Sequence, residues 1–307
     1  MTASEIDFET STVTRTIRIE APRPLVWATL TSPEQIAQWF GQRAEFPAGV
    51  HAGAEGSFGW TEHGDFPVRI DIDEPPSRFA FTWSLTGEAI REDNSTTATF
   101  TLLEDGEATV LSVVETGFDE LAGDHLRRRA AMEENAQGWV GGLDGLGAYV
   151  TSLRDGRTAV ADLDAGTITR TVLVDADQAR AWSALTAPAS IEAWWGHPAV
   201  FPDGVQPGSL GTFEWVGHGL FPVHIDALEE PDRFVMTWGE LGETTPGPTA
   251  TQVTFTLTSA GAQTLVTVVE TGFASQEAAA RRAAMEGNVE GWNAVLDSFA
   301  RFVAGRS

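Results

Sequence analysis

Two glutamates stand where a carboxylate is costly. Glu115 closes the run Leu111-Ser-Val113-Val-Glu115, and Glu270 closes Val266-Thr-Val268-Val-Glu270. Alternate residues of a strand share a face, so each carboxylate lies on the side of two aliphatic residues. A carboxylate there needs a partner. One is spaced for it. Arg128, Met132, Asn135 and Trp139 recur at intervals of 4, 3 and 4, one stripe of a helix, and Arg281, Met285, Asn288 and Trp292 repeat them. The spacing predicts the ion pairs Glu115–Arg128 and Glu270–Arg281 at a cavity mouth. Such a constellation pins helix to sheet, anchors a ligand or does acid–base work, and Glu115 and Glu270 are the catalytic candidates. His63 and His218 are the histidines that pair between copies; they sit in EHGDFP and GHGLFP and read as rim residues of a hairpin turn. His224 and Asp226 have outward parity, so no metal site is expected. No phosphate-binding, dinucleotide-binding or zinc-protease motif appears, and no cofactor is expected.

These residues come in pairs because the chain is one unit written twice. TRTIRIEAPRPLVWATLTSPEQIAQWFG starts at Thr14 and TRTVLVDADQARAWSALTAPASIEAWWG at Thr169, an offset of 155. Two residues drop out before RRAAMEEN and RRAAMEGN, which match at an offset of 153. The tryptophans pair as Trp27/Trp182, Trp39/Trp194, Trp60/Trp215, Trp83/Trp238 and Trp139/Trp292. The reading is an N-terminal tail over 1–12, a first domain over 13–153, a linker over 154–167 and a second domain over 168–307.

The elements that must position the candidates follow from periodicity. Each copy opens on an alternating strand (VTRTIRIE; TITRTVLVD), followed by two short helices. Pro24 starts the first helix of copy one, and Ser32-Pro33-Glu34 starts the second. The runs GSFGWTE, FPVRIDI, RFAFTWSL, TTATFTLL and ATVLSVVET then read as strands separated by turns. A long helix closes each copy, Leu126 to Leu153 and Ala278 to Val303. The expected fold is α+β, an antiparallel sheet wrapped around a long C-terminal helix. Parity places Trp60, Phe81, Trp83 and Phe100 on the inner face, with Trp215, Met236 and Trp238 in copy two. The long helix adds Gly142 to the inner stripe where copy two has Val295, and Leu146 where copy two has Phe299. Less bulk predicts the larger, more ligand-competent cavity in domain 1.

The order of elements, W-x-A-[IL]-T-x-P near the start, W-[FW]-G at a helix end and E-x-x-x-G-W-x-x-x-L-D in the last helix resemble the SRPBCC superfamily of helix-grip proteins. Within it, the chain looks like the group named for activators of heat-shock protein 90 ATPase. Trp27, Thr31, Pro33, Trp39, Gly41, Gly56, Phe58, Trp83, Glu115, Gly138 and Trp139 carry the resemblance, with counterparts in copy two. It implies a helix-grip fold whose cavity, between sheet and long helix, holds a small apolar molecule. Relatives include lipid carriers and polyketide cyclases. The eukaryotic activators carry a separate N-terminal domain, for which the twelve residues before the first strand are too short.

Composition narrows the classes. The formal net charge is −25, from 19 basic and 44 acidic residues. That field repels phosphate backbones and anionic lipids, so neither nucleic acid nor membrane is expected as a partner. Every basic residue is arginine, which reads as codon bias of a GC-rich genome. No cysteine is present. The N-terminus lacks the apolar stretch of a secretory signal, so a cytoplasmic location is expected. Three functions remain, in this order: binding of a small hydrophobic or aromatic molecule as carrier, sequestering protein or sensor; cyclase or aromatase chemistry on a polyketide-like substrate in the same cavity; and a co-chaperone type of interaction module. The two copies are expected to pack as an intramolecular pseudo-dimer within a monomer or dimer.

Overall fold

The computed structural model describes residues 3–156, 158–217 and 219–305. The chain divides into two compact units between residues 152 and 153, here domains 1 and 2.

Domain 1 runs β1 (Glu5–Asp7), β2 (Thr12–Ile19), α1 (Arg23–Thr31), α2 (Pro33–Ile36), β3 (Arg43–Glu45), β4 (Glu55–Trp60), β5 (Gly64–Glu74), β6 (Arg78–Ser84), β7 (Ser95–Asp105), β8 (Ala108–Thr116) and α3 (His125–Asp155). The strands form one antiparallel sheet in the order β1-β2-β8-β7-β6-β5-β4-β3. Domain 2 repeats it with β9 (Val160–Asp162), β10 (Thr167–Val174), α4 (Gln178–Thr186), α5 (Pro188–Trp195), β11 (Ala199–Val200), β12 (Leu210–Trp215), β13 (Gly219–Glu229), β14 (Arg233–Trp238), β15 (Thr251–Ala260), β16 (Gln263–Thr271) and α6 (Ala278–Val303). Its sheet order is β11-β12-β13-β14-β15-β16-β10-β9. Both domains are helix-grip α+β units.

The local chemistry explains the boundaries. Pro33 and Pro188 open α2 and α5, where a missing N–H costs nothing. Asp177 caps α4 by accepting from the Arg180 N–H. Gly196 ends α5 in the left-handed region at φ 79°, which a residue without Cβ adopts freely. Register shifts at Ile70/Ile72 and Ile225/Ala227 bend β5 and β13 at matching places. Two short strands lie in the segments whose sequence reads as tail and linker. β1 adds Glu5–Asp7 to the edge of β2, and β9 adds Val160–Asp162 to the edge of β10. Three-residue edge strands carry too little alternation to be read from sequence.

The inner face is the one parity assigns. Phe58, Val68, Ile70, Phe79, Phe81, Ala98, Phe100 and Leu102 are buried, as are Phe213, Val223, Ile225, Phe234, Met236, Phe255 and Leu257. On the helices Met132, Trp139, Leu143, Leu146 and Val150 meet the first sheet, and Met285, Trp292, Leu296 and Phe299 the second.

Candidate functional site

β8 carries Glu115 inward, and the carboxylate is wholly buried. Its Oε1 accepts from Thr96 Oγ1 at 2.6 Å, Asn135 Nδ2 at 2.8 Å and Trp83 Nε1 at 3.0 Å. Its Oε2 accepts from Trp139 Nε1 at 2.6 Å. β16 does the same with Glu270, which accepts from Thr251 Oγ1 (2.7 Å), Asn288 Nδ2 (2.9 and 3.0 Å) and Trp292 Nε1 (2.7 Å). Burial pushes both carboxyls above the ordinary glutamate value, against the pull of these hydrogen bonds.

The expected ion pairs do not form. Arg128 turns away and donates Nε to the carbonyl of Leu121 at 2.8 Å. Arg281, half-buried, makes no ion pair with Glu270 among the described residues. Helical phase places Arg128 and Asn135 on one stripe but says nothing of distance along it. Seven residues are roughly 10 Å of helix, so only Asn135 and Trp139 come level with Glu115. The neutral donors take the place assigned to the guanidinium.

A helix-to-sheet ion pair does exist, elsewhere. Arg15 on β2 donates Nη2 to Asp144 on α3 at 2.5 Å, and Arg170 on β10 reaches Asp297 on α6. Both arginines are buried, and Arg170 also donates to the carbonyls of Trp292 and Asn293. The signal was present: Arg15 shares parity with Val13 and Ile19, and its partner is the aspartate of the repeated L-D.

The deep cavity is filled. Phe40, just after α2, stacks on Trp139 with centroids 5.4 Å apart and planes 7° apart, and touches Phe58, Trp60, Phe81 and Trp83. A Cβ on Gly142 would meet Phe40 Cδ2 at 3.4 Å. The space that the glycines release is therefore taken by Phe40. In domain 2 the roles reverse: Val295 and Phe299 stand on the helix, and Trp194 packs its ring edge-on to Phe299 at 5.3 Å.

Of the space open in domain 1, the larger part described is a cavity of about 600 Å³. It lies between the β4–β5 hairpin, the loop after β6 and the first half of α3. Trp60, Phe66 and Trp83 give it an aromatic wall, Leu85 and Leu121 an aliphatic one, and Arg91, Asp93, Asn94, Arg127, Glu134 and Asn135 a polar one. His63 is exposed and lines it; His218 lies outside the described residues. Phe81, Phe100, Glu115, Arg128 and Trp139 do not line it, being packed below or turned aside. Gly142 lines a separate groove of about 420 Å³ with Trp39, Phe40, Trp60 and Trp83. A cavity described in domain 2 is near 100 Å³, lined by Trp195, Trp215, Phe221, Trp238, Glu270, Asn288, Gly291 and Trp292. Met236 is buried in the core and Arg281 does not reach it. Of the cavities described, the largest is in domain 1, and it opens near the start of α3 and not above Gly142. Arg91, Leu85 and Leu121 sit on loops whose approach no periodicity encodes.

His224 Nδ1 lies 2.7 Å from Asp226 Oδ1, partly exposed. Among the described residues no cluster of histidine and carboxylate side chains could hold a metal ion. No described helix is long and apolar enough to cross a membrane.

Fold and buried site together define a tandem helix-grip protein. The chain belongs to the family described as Activator of Hsp90 ATPase homolog 1-like protein, whose model matches residues 20–151 and 175–304. No curated protein matches the chain. Among solved structures, DynU16 from the dynemicin biosynthetic locus is 19% identical, with 95% of this chain and 99% of that one covered and a TM-score of 0.38. The di-domain ARO/CYC BexL from the BE-7585A biosynthetic pathway is 12% identical, covers 96% and 99%, and has a TM-score of 0.41. Ms6760 from Mycobacterium smegmatis is 22% identical over 48% of this chain and 98% of its own, with a TM-score of 0.40.

Proposed function

We propose that the protein binds a small hydrophobic or aromatic molecule in the cavity of domain 1, as a carrier, sequestering protein or sensor. The observation that carries this is the cavity of about 600 Å³ walled by Trp60, Phe66 and Trp83. Its volume lies within the roughly 300–1,000 Å³ of small-molecule sites, and an aromatic wall facing polar groups that fix orientation is chemistry such sites use. Glu115, the carboxylate held by Trp83, Asn135 and Trp139, does not line this cavity. A cytoplasmic location agrees with the acidic, cysteine-free chain.

The test is native mass spectrometry of the purified protein, with titration of tryptophan fluorescence by naphthalene, fluorene and anthraquinone. Ala131 lines the cavity, and Ala131→Trp would fill it. The expected result is a bound molecule or probe that is lost in Ala131→Trp and weakened at least tenfold in Trp60→Ala. A protein that arrives empty and binds no probe overturns the reading, as does binding unaffected by both substitutions.

A further inference from the structure

The cavity of domain 2 differs from that of domain 1 in kind. It is small, about 100 Å³, and a carboxylate stands in its wall. Trp195, Trp215, Phe221, Trp238 and Trp292 make up most of the rest. Trp195 sits 5.6 Å from Trp215 and 5.5 Å from Trp238, ring centre to ring centre. In domain 1 the counterpart of Trp238 donates its indole N–H to Glu115, and the carboxylate is shut in. In domain 2 Trp238 instead stacks on Phe213, with centroids 5.1 Å apart, and Glu270 faces the cavity.

Glu270 is only 1% exposed, and Thr251, Asn288 and Trp292, which hold it, are neutral. The ion pairs described in domain 2 are Arg170–Asp297, His224–Asp226 and Arg233–Glu229, and none reaches it. A buried carboxylate without a cation and a box of indole rings share one need. Each is stabilised by a positive charge placed in the cavity, the first by Coulomb attraction and the second through the ring quadrupole. Methylated ammonium suits both, since its methyl groups spread the charge, shed water cheaply and present apolar surface to the rings. At about 100 Å³ the cavity is smaller than a dry, benzene-binding cavity of roughly 150 Å³, so it suits a compact head group and not an extended ligand. The net charge of −25 favours the approach of cations.

We propose that the domain 2 cavity binds a methylated ammonium group, with Glu270 as its counter-ion and the tryptophans as its cage. The site is independent of the domain 1 cavity.

Calorimetric titration with choline, tetramethylammonium and 3,3-dimethylbutan-1-ol, the uncharged carbon isostere of choline, tests it. Both cations should bind at least tenfold more tightly than the isostere, and Glu270→Gln should erase the difference. A Cβ on Gly291 would lie 3.6 Å from Trp215 Cη2, so Gly291→Leu fills the cavity and should abolish cation binding while circular dichroism stays native. Equal binding of choline and isostere, discrimination that survives Glu270→Gln, or no binding of either cation overturns the proposal. Should Glu270→Gln fail to fold, choline binding that persists in Gly291→Leu overturns it alone. Aromatic probes that still bind Gly291→Leu would leave the domain 1 reading standing in any of these cases.

Discussion

Replacing Glu115 by glutamine should change how the stability of domain 1 depends on pH. Burial lifts the Glu115 carboxyl above 4.5, its ordinary value, even though Thr96, Trp139, Trp83 and Asn135 all donate to it. The folded protein therefore holds a proton at pH values where the unfolded chain has released it. Stability from this group is fully present below the unfolded value and drains away as pH rises to the folded one. The loss runs at up to about 1.4 kcal/mol per pH unit across that window. On protonation the hydroxyl of Thr96, 2.6 Å away, can reverse and accept the new hydrogen bond. Glutamine keeps the shape and removes the titration. If its carbonyl stays toward Thr96, its amide faces the Trp139 N–H, donor to donor, a pH-independent cost of about 1–3 kcal/mol. Urea unfolding of both proteins between pH 4 and 8, followed by the indole N–H resonance of Trp139, measures the difference. The advantage of Glu115 over glutamine should shrink steadily above pH 4.5, a comparison in which every other carboxylate cancels. Parallel curves would refute the reasoning, and an advantage that grows with pH would mean that the four hydrogen bonds outweigh burial.

Two further outcomes are expected. Gly138 and Gly141 lie inside α3 with nothing within 4 Å of a Cβ built on either. Gly138→Ala and Gly141→Ala should each raise stability by about 0.5–1 kcal/mol in denaturant titration, whereas Gly56→Ala, whose Cβ would fall 2.3 Å from the Glu45 carbonyl oxygen, should lower it. Asp144→Ala leaves the Arg15 guanidinium, 1% exposed, without its carboxylate, itself 39% exposed. A loss of about 2–3 kcal/mol is expected, between an open pair and a sealed one; a loss under about 1 kcal/mol would place the pair functionally at the surface.

Much of the architecture is legible one element at a time. Duplication is visible as repeated letters. The inner face of each strand follows from a period of two, and the buried stripe of α3 and α6 from a period of 3.6, because both are geometry of the local backbone. That is why Glu115, Asn135 and Trp139 could be set on facing surfaces, and why the structure brings them into contact. The resemblance to helix-grip proteins added the order in which those faces meet.

Periodicity sorts side chains around an axis but not along it, nor does it rank competing partners. Arg128 and Asn135 share a stripe, yet only the tertiary fold decides which turn of α3 comes level with the end of β8. The same limit hid the pairing of Arg15 with Asp144, more than a hundred residues apart in sequence. Cavity volume is further still from the sequence, because it is the remainder after packing. Glycines on α3 promised space, and Phe40 from another element took it; in domain 2 Trp195 and Val295 settled the same surface differently. One indole marks how small the deciding difference is. Trp83 and Trp238 occupy matching positions in matching strands, but the first turns its N–H onto a carboxylate and the second lies against a phenyl ring. Which way each turns is set by the packing around it, and so only the folded chain determines that Glu270, though buried, borders a cavity while Glu115 does not.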